Sequence, residues 1–80
     1  MLEFDSNAQI RVGIKQSSRA IAEGKASKVF VAKDADVSVV NKVLDLAKAN
    51  DVPVELVETM RLLGKACKID VGAATAVILK

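Results

Sequence analysis

Residues 28–57 read KVFVAKDADVSVVNKVLDLAKANDVPVELV and combine a strand pattern, a helix pattern and a second strand pattern. The first six residues, KVFVAK, are rich in branched apolar side chains, which predicts a buried strand. Asp36 is positioned to cap a helix, because apolar residues follow at the i, i+3, i+4 and i+7 spacing that starts at Val40. Pro53 prevents that helix from continuing beyond about residue 50, and VELV after it predicts another short strand.

The same alternation continues on both sides of this stretch. Upstream, the sequence predicts a strand at residues 9–12 and a helix that Ser17 or Ser18 can cap and that runs to about Glu23. Downstream, Thr59 can cap a third helix, and ATAVILK at the end of the sequence predicts a last strand. Alternating strands and helices are typical of an α/β fold, in which helices cover the faces of a sheet.

The bulk composition predicts one folded domain spanning residues 1–80. The chain is 51% hydrophobic and 28% charged, which is too apolar for a disordered segment. The first residues, MLEFD, lack the basic and apolar regions of a secretory signal, and the longest apolar run is too short to cross a bilayer. A single cysteine cannot form an intrachain disulfide. We therefore expect a cytoplasmic protein, monomeric by default, with no membrane partner.

The net charge of +2 is distributed unevenly along the chain. Residues 11–33 carry six bases against one acid, and residues 59–80 carry four bases against one acid. Between them, residues 34–58 carry six acids against two bases. If the fold brings the two basic segments together, one face could hold a polyanion. The alternative, which charge alone favours, is a mixed and solvated surface.

The residues that most enzymes need are missing from this sequence. The chain has no histidine, so Cys67 has no partner for thiol catalysis and is interpreted as a small core residue. Asp34 and Asp36 could form a cation-binding pair, but no ligand loop follows them, and the start of a helix explains them better. The two Gly-Lys pairs lack the rest of a phosphate-binding loop. We therefore expect no enzyme activity, no metal and no cofactor.

The chain also lacks an aromatic surface on which nucleic-acid bases could stack. Phe4 and Phe30 are its only aromatic residues, and Phe30 falls in the predicted buried strand. An RNA-binding protein of this composition would have to rely on positive charge, backbone amides, amide side chains and aliphatic contacts.

Residues 13–19, GIKQSSR, carry polar groups suited to such contacts. The first amides of a helix are unpaired and favour anions, and a glycine before them allows close approach. Gln16 can both donate to and accept from a base edge, and Arg19 can reach a phosphate. A nucleic-acid site and a well-capped, solvent-exposed helix explain this segment about equally well.

Residues 13–36 and 52–78 together resemble the kink-turn-binding ribosomal proteins of the L-seven-Ae family, including its short bacterial members. The likeness runs from about residue 10 to residue 79, and the segments GIKQSSR (13–19) and LGKAC…VGAA (63–67 and 71–74) carry it. It implies a three-layer α-β-α sandwich with a small mixed sheet. It also implies binding to a kink-turn, which is a sharply bent RNA duplex with tandem sheared G·A pairs beside a three-nucleotide bulge.

The resemblance implies two elements of an RNA site. In the first, the motif that opens the first helix reads the G·A pairs, and Lys15 and Gln16 stand where archaeal members have Asn and Glu. In the second, the loop before the last helix covers a flipped-out bulge nucleotide, and Glu58 stands at a position that is often apolar or Pro. The residues of the first element are Gly13, Ile14, Lys15, Gln16, Ser17 and Arg19. Those of the second are Val57, Glu58, Thr59 and Arg61, and Lys28 and Lys33 are expected to join Arg19 and Arg61 on phosphates.

The leading interpretation is a non-enzymatic protein that stabilises kink-turns in ribosomal RNA or riboswitch-like RNA, with the ribosome as a further partner. In this interpretation the acidic middle of the sequence corresponds to the helix at about residues 37–50, facing away from RNA. The main alternative is a protein-protein interaction module without specific RNA recognition. A small catalytic α/β domain is a third possibility, which the missing residues disfavour.

Overall fold

The computed structural model describes residues 9–80 and confirms the α/β fold. The elements in chain order are β1 (Ile10–Val12), α1 (Ile14–Ala22), β2 (Ala26–Ala32), α2 (Val37–Ala49), β3 (Val54–Val57), α3 (Met60–Ala66) and β4 (Thr75–Leu79). Residues 1–8, on which the expectation of no secretory signal rests, lie outside the described residues. Within residues 9–80, none of the helices is long and apolar enough to span a bilayer.

The four strands form one mixed sheet in the order β1-β4-β2-β3. Strands β2 and β3 are parallel across the α2 crossover, whereas β4 is antiparallel to both of its neighbours. Helices α1 and α2 pack against each other on one face, and α3 packs on the other face. This is the three-layer α-β-α arrangement that the sequence resemblance implies.

The interior is built around β2 and β4, the two central strands. Val29, Phe30 and Val31 in β2 are all nearly inaccessible to solvent, because helices cover both faces of this strand. Ala76 and Val77 pair with them across the sheet and are fully buried. The continuous apolar run in β2 thus reflects a strand with no solvent-facing side.

Helix α2 forms as the sequence predicts. The Asp36 carboxylate accepts hydrogen bonds from the Ser38 amide at 2.9 Å and the Ser38 hydroxyl at 2.7 Å, and these two bonds lower the pKa of Asp36. Val40, Val43 and Ala47 form the buried stripe, and the helix ends at Asn50 as its C-cap.

Helix α1 begins earlier than the predicted serine cap would allow. Gly13 is the N-cap, with φ of +99°, and the helix starts at Ile14. The prediction that Ser17 or Ser18 caps the helix is therefore wrong, because a glycine with positive φ turns the chain directly out of β1. Ser17 instead lies inside the helix, with its hydroxyl fully buried and with no hydrogen-bond partner among residues 9–80.

Candidate nucleic-acid interface

The N-termini of α1 and α3 lie at the same edge of the sheet. We define the site edge by the ends of β1, β2 and β3 and the start of β4. The Gly13 amide donates to the Thr75 carbonyl at 2.9 Å, and the Ala73 amide donates to the Met60 carbonyl at 3.0 Å. Residues 73–75 therefore connect the two helix starts through the backbone. This confirms that the two segments named by the resemblance are neighbours in space.

The N-terminus of α1 is open. Gly13 has no side chain that could cap the first turn of the helix, and its carbonyl accepts from the Ser17 amide at 2.9 Å. Among residues 9–80, no atom beyond its immediate chain neighbours lies within 4 Å of the place where a Gly13 Cβ would stand. The first amides of α1 therefore receive no side-chain cap from Gly13, and the positive end of the helix dipole lies at this end of the helix.

The side chains of the first turn of α1 separate into an outward and an inward set. Lys15 and Gln16 are exposed and supply donors and an acceptor beside the open helix start. Ile14 is half-buried, and Ser17 is completely buried against the core. This placement does not support a contact between the Ser17 side chain and a ligand.

The N-terminus of α3, in contrast, is closed by two side chains. Thr59 Oγ1 accepts from the Leu62 amide at 3.0 Å, as the predicted cap requires. Asp34 Oδ1 accepts from the Met60 amide at 2.7 Å. Asp34 therefore caps α3 and not the α2 helix that follows it in sequence. The two aspartates serve as helix caps on different helices, and each carboxylate is committed to a backbone amide.

The loop that leads into α3 presents polar groups rather than an apolar cover. Val57 is 6% exposed, and its carbonyl accepts from the Lys33 amide at 2.8 Å. The Glu58 carboxylate lies 3.0 Å from Lys33 Nζ and forms an exposed ion pair. Arg61 is exposed at the start of α3. The Val57 side chain therefore offers little surface to a nucleotide. Glu58 forms an ion pair with Lys33, the lysine that was expected to contact phosphate.

Two of the other predicted basic residues lie away from the site edge. Lys28 belongs to the opposite end of β2, where its Nζ pairs with Glu55 at 2.8 Å and lies 5.4 Å from the centre of the Phe30 ring. Arg19 lies in the last turn of α1 and pairs with Glu23 at 3.3 Å. The structure thus brings the first-turn residues of α1, Lys33 and the α3 loop together, but not Lys28 or Arg19.

The acidic charge of the middle segment is not on α2, which corrects the sequence expectation. Within α2, Lys42 and Lys48 outnumber Asp45. The remaining acids of this segment lie in the loops and in β3, and two of them, Asp34 and Glu58, stand at the site edge. The candidate site is therefore of mixed charge.

The sequence reasoning overlooked Asp34 and residues 73–75 as parts of this site. Asp34 follows the end of β2, and the ends of parallel strands share one edge of a sheet. Since VELV is the other parallel strand and α3 follows it, the sequence indicates that Asp34 lies near the start of α3. The role of residues 73–75 depends on the antiparallel placement of β4, which no local pattern in the sequence specifies.

A family comparison matches residues 3–80 to the ribosomal protein L7Ae/L30e/S12e/Gadd45 family. The chain belongs to this family. An RNA-binding protein of Geobacillus sp. (strain WCH70) is 55% identical over 69 residues, which cover 86% of this chain and 84% of the relative. RNA-binding protein YbxF of Geobacillus stearothermophilus is 50% identical over 72 residues, covering 90% and 88%. These names are those of RNA-binding proteins rather than enzymes.

More distant members of the L7Ae/L30e/S12e/Gadd45 family show the same relationship. The large ribosomal subunit protein eL8 of Halobacterium salinarum is 34% identical over 71 residues, which cover 88% of this chain and 59% of that protein. The structure titled Giardia lamblia 15.5kD RNA binding protein superimposes with a TM-score of 0.84 at 29% identity, over 89% of this chain and 60% of that chain. The family thus includes ribosomal proteins, and the fold extends to longer chains.

Proposed function

We propose that this protein binds RNA that contains a kink-turn and stabilises the bent form of that RNA. The observation that carries the proposal is the open N-terminus of α1, with Lys15 and Gln16 exposed beside it. The names of the relatives support RNA as the ligand, and the motif GIKQSSR supports the kink-turn in particular.

In the proposed mechanism, the open helix start meets the G·A pairs of the RNA. Outward-facing amides and Lys15 present donors to acceptor atoms, and Gln16 presents both a donor and an acceptor. A bent duplex exposes these base edges and crowds its phosphates, whereas the unbent duplex does not offer the same contacts. Because the protein binds the bent state more tightly, it shifts an existing RNA equilibrium toward that state. Ribosomal RNA and riboswitch-like RNA are the proposed targets.

The second element of the site contributes positive charge close to the first turn of α1. Arg61 and Lys33 lie at the same edge as the first turn of α1 and supply positive charge to phosphates of the bend. Thr59 is occupied as the cap of α3, so its role is to hold the loop in place while Glu58 limits the charge available to RNA.

The test is a titration of the protein into an end-labelled kink-turn duplex in which energy transfer reports the bend. A duplex with both G·A pairs replaced by Watson–Crick pairs is the RNA control. We expect saturable bending of the first RNA only, and we expect Lys15→Ala with Gln16→Ala to weaken it by about tenfold or more. The matched protein control is Asn41→Ala with Lys42→Ala, an exposed amide and lysine pair on α2. Equal, weak binding to both duplexes would contradict the proposal and favour a protein-protein interaction module.

A further inference from the structure

A polar groove runs along α1, and no residue of α2 lines it. Its walls are α1, β1 and the residues that follow β4, and it encloses a cavity of about 540 Å³. Gln16 lies at one end of the groove, and Lys25 lies at the other, beyond the end of α1. The groove therefore begins at a residue of the site edge and extends away from it.

Among residues 9–80, four cationic side chains and one carboxylate side chain line this groove. The cations are Arg11, Arg19, Lys25 and Lys80. Glu23 bridges two of them, with its carboxylate oxygens 3.3 Å from Arg19 Nε and 3.4 Å from Lys25 Nζ. These two hydrogen bonds, that from Arg19 first, lower the pKa of Glu23, so the carboxylate is ionised at neutral pH. The described side chains of the groove therefore carry an excess of three positive charges.

The lining of the groove suits a phosphate backbone better than a base. Among residues 9–80, no aromatic side chain lines it, so this part of the chain gives a base no surface on which to stack. Only Arg19 belongs to α1, and the other three cations come from β1 and from the segments that follow α1 and β4. Cations spread over several elements suit a chain of phosphates better than a single anion. From Gln16 to Glu23 the helix rises about 10 Å, which is long enough to lie beside more than one phosphate of a strand.

We propose that this groove holds the phosphate backbone of the RNA stem that continues beyond the G·A pairs. This inference rests on the proposed function, because it takes the RNA to enter the groove from the first turn of α1. Phosphates displace the Glu23 carboxylate from Arg19 and Lys25, so Glu23 acts as a competitor that weakens binding to the stem. The protein then requires a continuous duplex on that side of the kink as well as the kink itself.

The experiment compares two kink-turn RNAs that differ only in the stem beyond the G·A pairs. One stem ends about two pairs beyond them, too short to reach Lys25, and the other continues for about ten pairs. We expect the protein to bind the long RNA about three- to tenfold more tightly at moderate salt. Arg11→Ala with Lys25→Ala should remove this preference and leave the affinity for the short RNA unchanged.

Two further variants make the test specific. Lys42→Ala with Lys48→Ala removes the same charge from α2 and should preserve the preference for the long RNA. Glu23→Gln should increase that preference. If the protein binds both RNAs tightly whatever the stem length, the groove assignment is overturned but the proposed function is not. The same holds if Arg11→Ala with Lys25→Ala lowers the affinity for both RNAs equally. Failure to bind either RNA would overturn the proposed function and, with it, this inference.

Discussion

At the scale of single residues, Glu58 sets how much positive charge the site edge offers. It pairs with Lys33 in an exposed ion pair, in which the Glu58 side chain is 74% exposed. Exposed pairs of this kind contribute little to folding, about 0–1 kcal/mol, so their removal leaves the fold intact. The carboxylate nevertheless stands where RNA phosphates are proposed to lie, and its main effect is on binding.

Replacing this carboxylate should therefore strengthen RNA binding. We expect Glu58→Gln to increase the affinity for a kink-turn RNA by about two- to fivefold, because it frees Lys33 and removes a repulsive charge. Glu55→Gln is the matched control, since it releases Lys28 from a similar pair at the opposite end of β2. Filter binding of both variants at one salt concentration checks this, and equal gains from the two would show that only net charge matters.

At the scale of elements, α3 is fixed by its contact with the segment that returns to β4. Gly64 is buried on α3, and a Cβ there would collide with the Val71 carbonyl. Gly72 lies against Met60 on the same pair of segments. The close approach of these backbones places Ala73 so that its amide reaches the Met60 carbonyl at the site edge. A glycine far from the proposed ligand thus positions the second element of the site.

Substitution of Gly64 should separate the segments that it joins. We expect Gly64→Ala to lower the free energy of unfolding by about 1–3 kcal/mol, because a backbone carbonyl cannot move aside as a flexible side chain can. Gly24→Ala is a useful comparison, because Gly24 has φ of +72° but open space around its Cβ position. We expect this substitution to lower the free energy of unfolding by about 1 kcal/mol through backbone strain alone. Urea unfolding measures both values. A smaller loss for Gly64→Ala than for Gly24→Ala would contradict the close-packing argument.

The helices also show which features a sequence can specify. The starts of α2 and α3 were predictable because Asp36 and Thr59 are side-chain caps, and the end of α2 followed from Pro53. The start of α1 was not predictable, because Gly13 begins the helix through its backbone conformation and no side-chain pattern marks it. The Lys33–Glu58 pair and the Asp34 cap depend on how β2 and β3 align, which is a tertiary property.

At the scale of the whole molecule, charge and topology together determine where a polyanion can bind. The two basic segments of the sequence do meet, because α1 and α3 both begin at one edge of a mixed sheet, where residues 73–75 connect them. The acidic residues of the middle segment are not concentrated on α2, so that helix does not form an acidic face opposite the site edge. The proposed surface for RNA is instead a path from Lys33 and Arg61 across the start of α1 and into the groove, which begins at Gln16.

Such a path predicts a salt dependence that differs between RNAs. We expect a slope of log affinity against log salt of roughly −3 to −5 for a kink-turn RNA with a long stem, corresponding to about 4–5 neutralised phosphates. With the stem shortened, or with Arg11→Ala and Lys25→Ala together, the slope should become shallower by about one to two, because the groove no longer contributes. Titrations at several salt concentrations measure each slope. A flat response for the long RNA would contradict the electrostatic path, and the open α1 start would then have to act through hydrogen bonds alone.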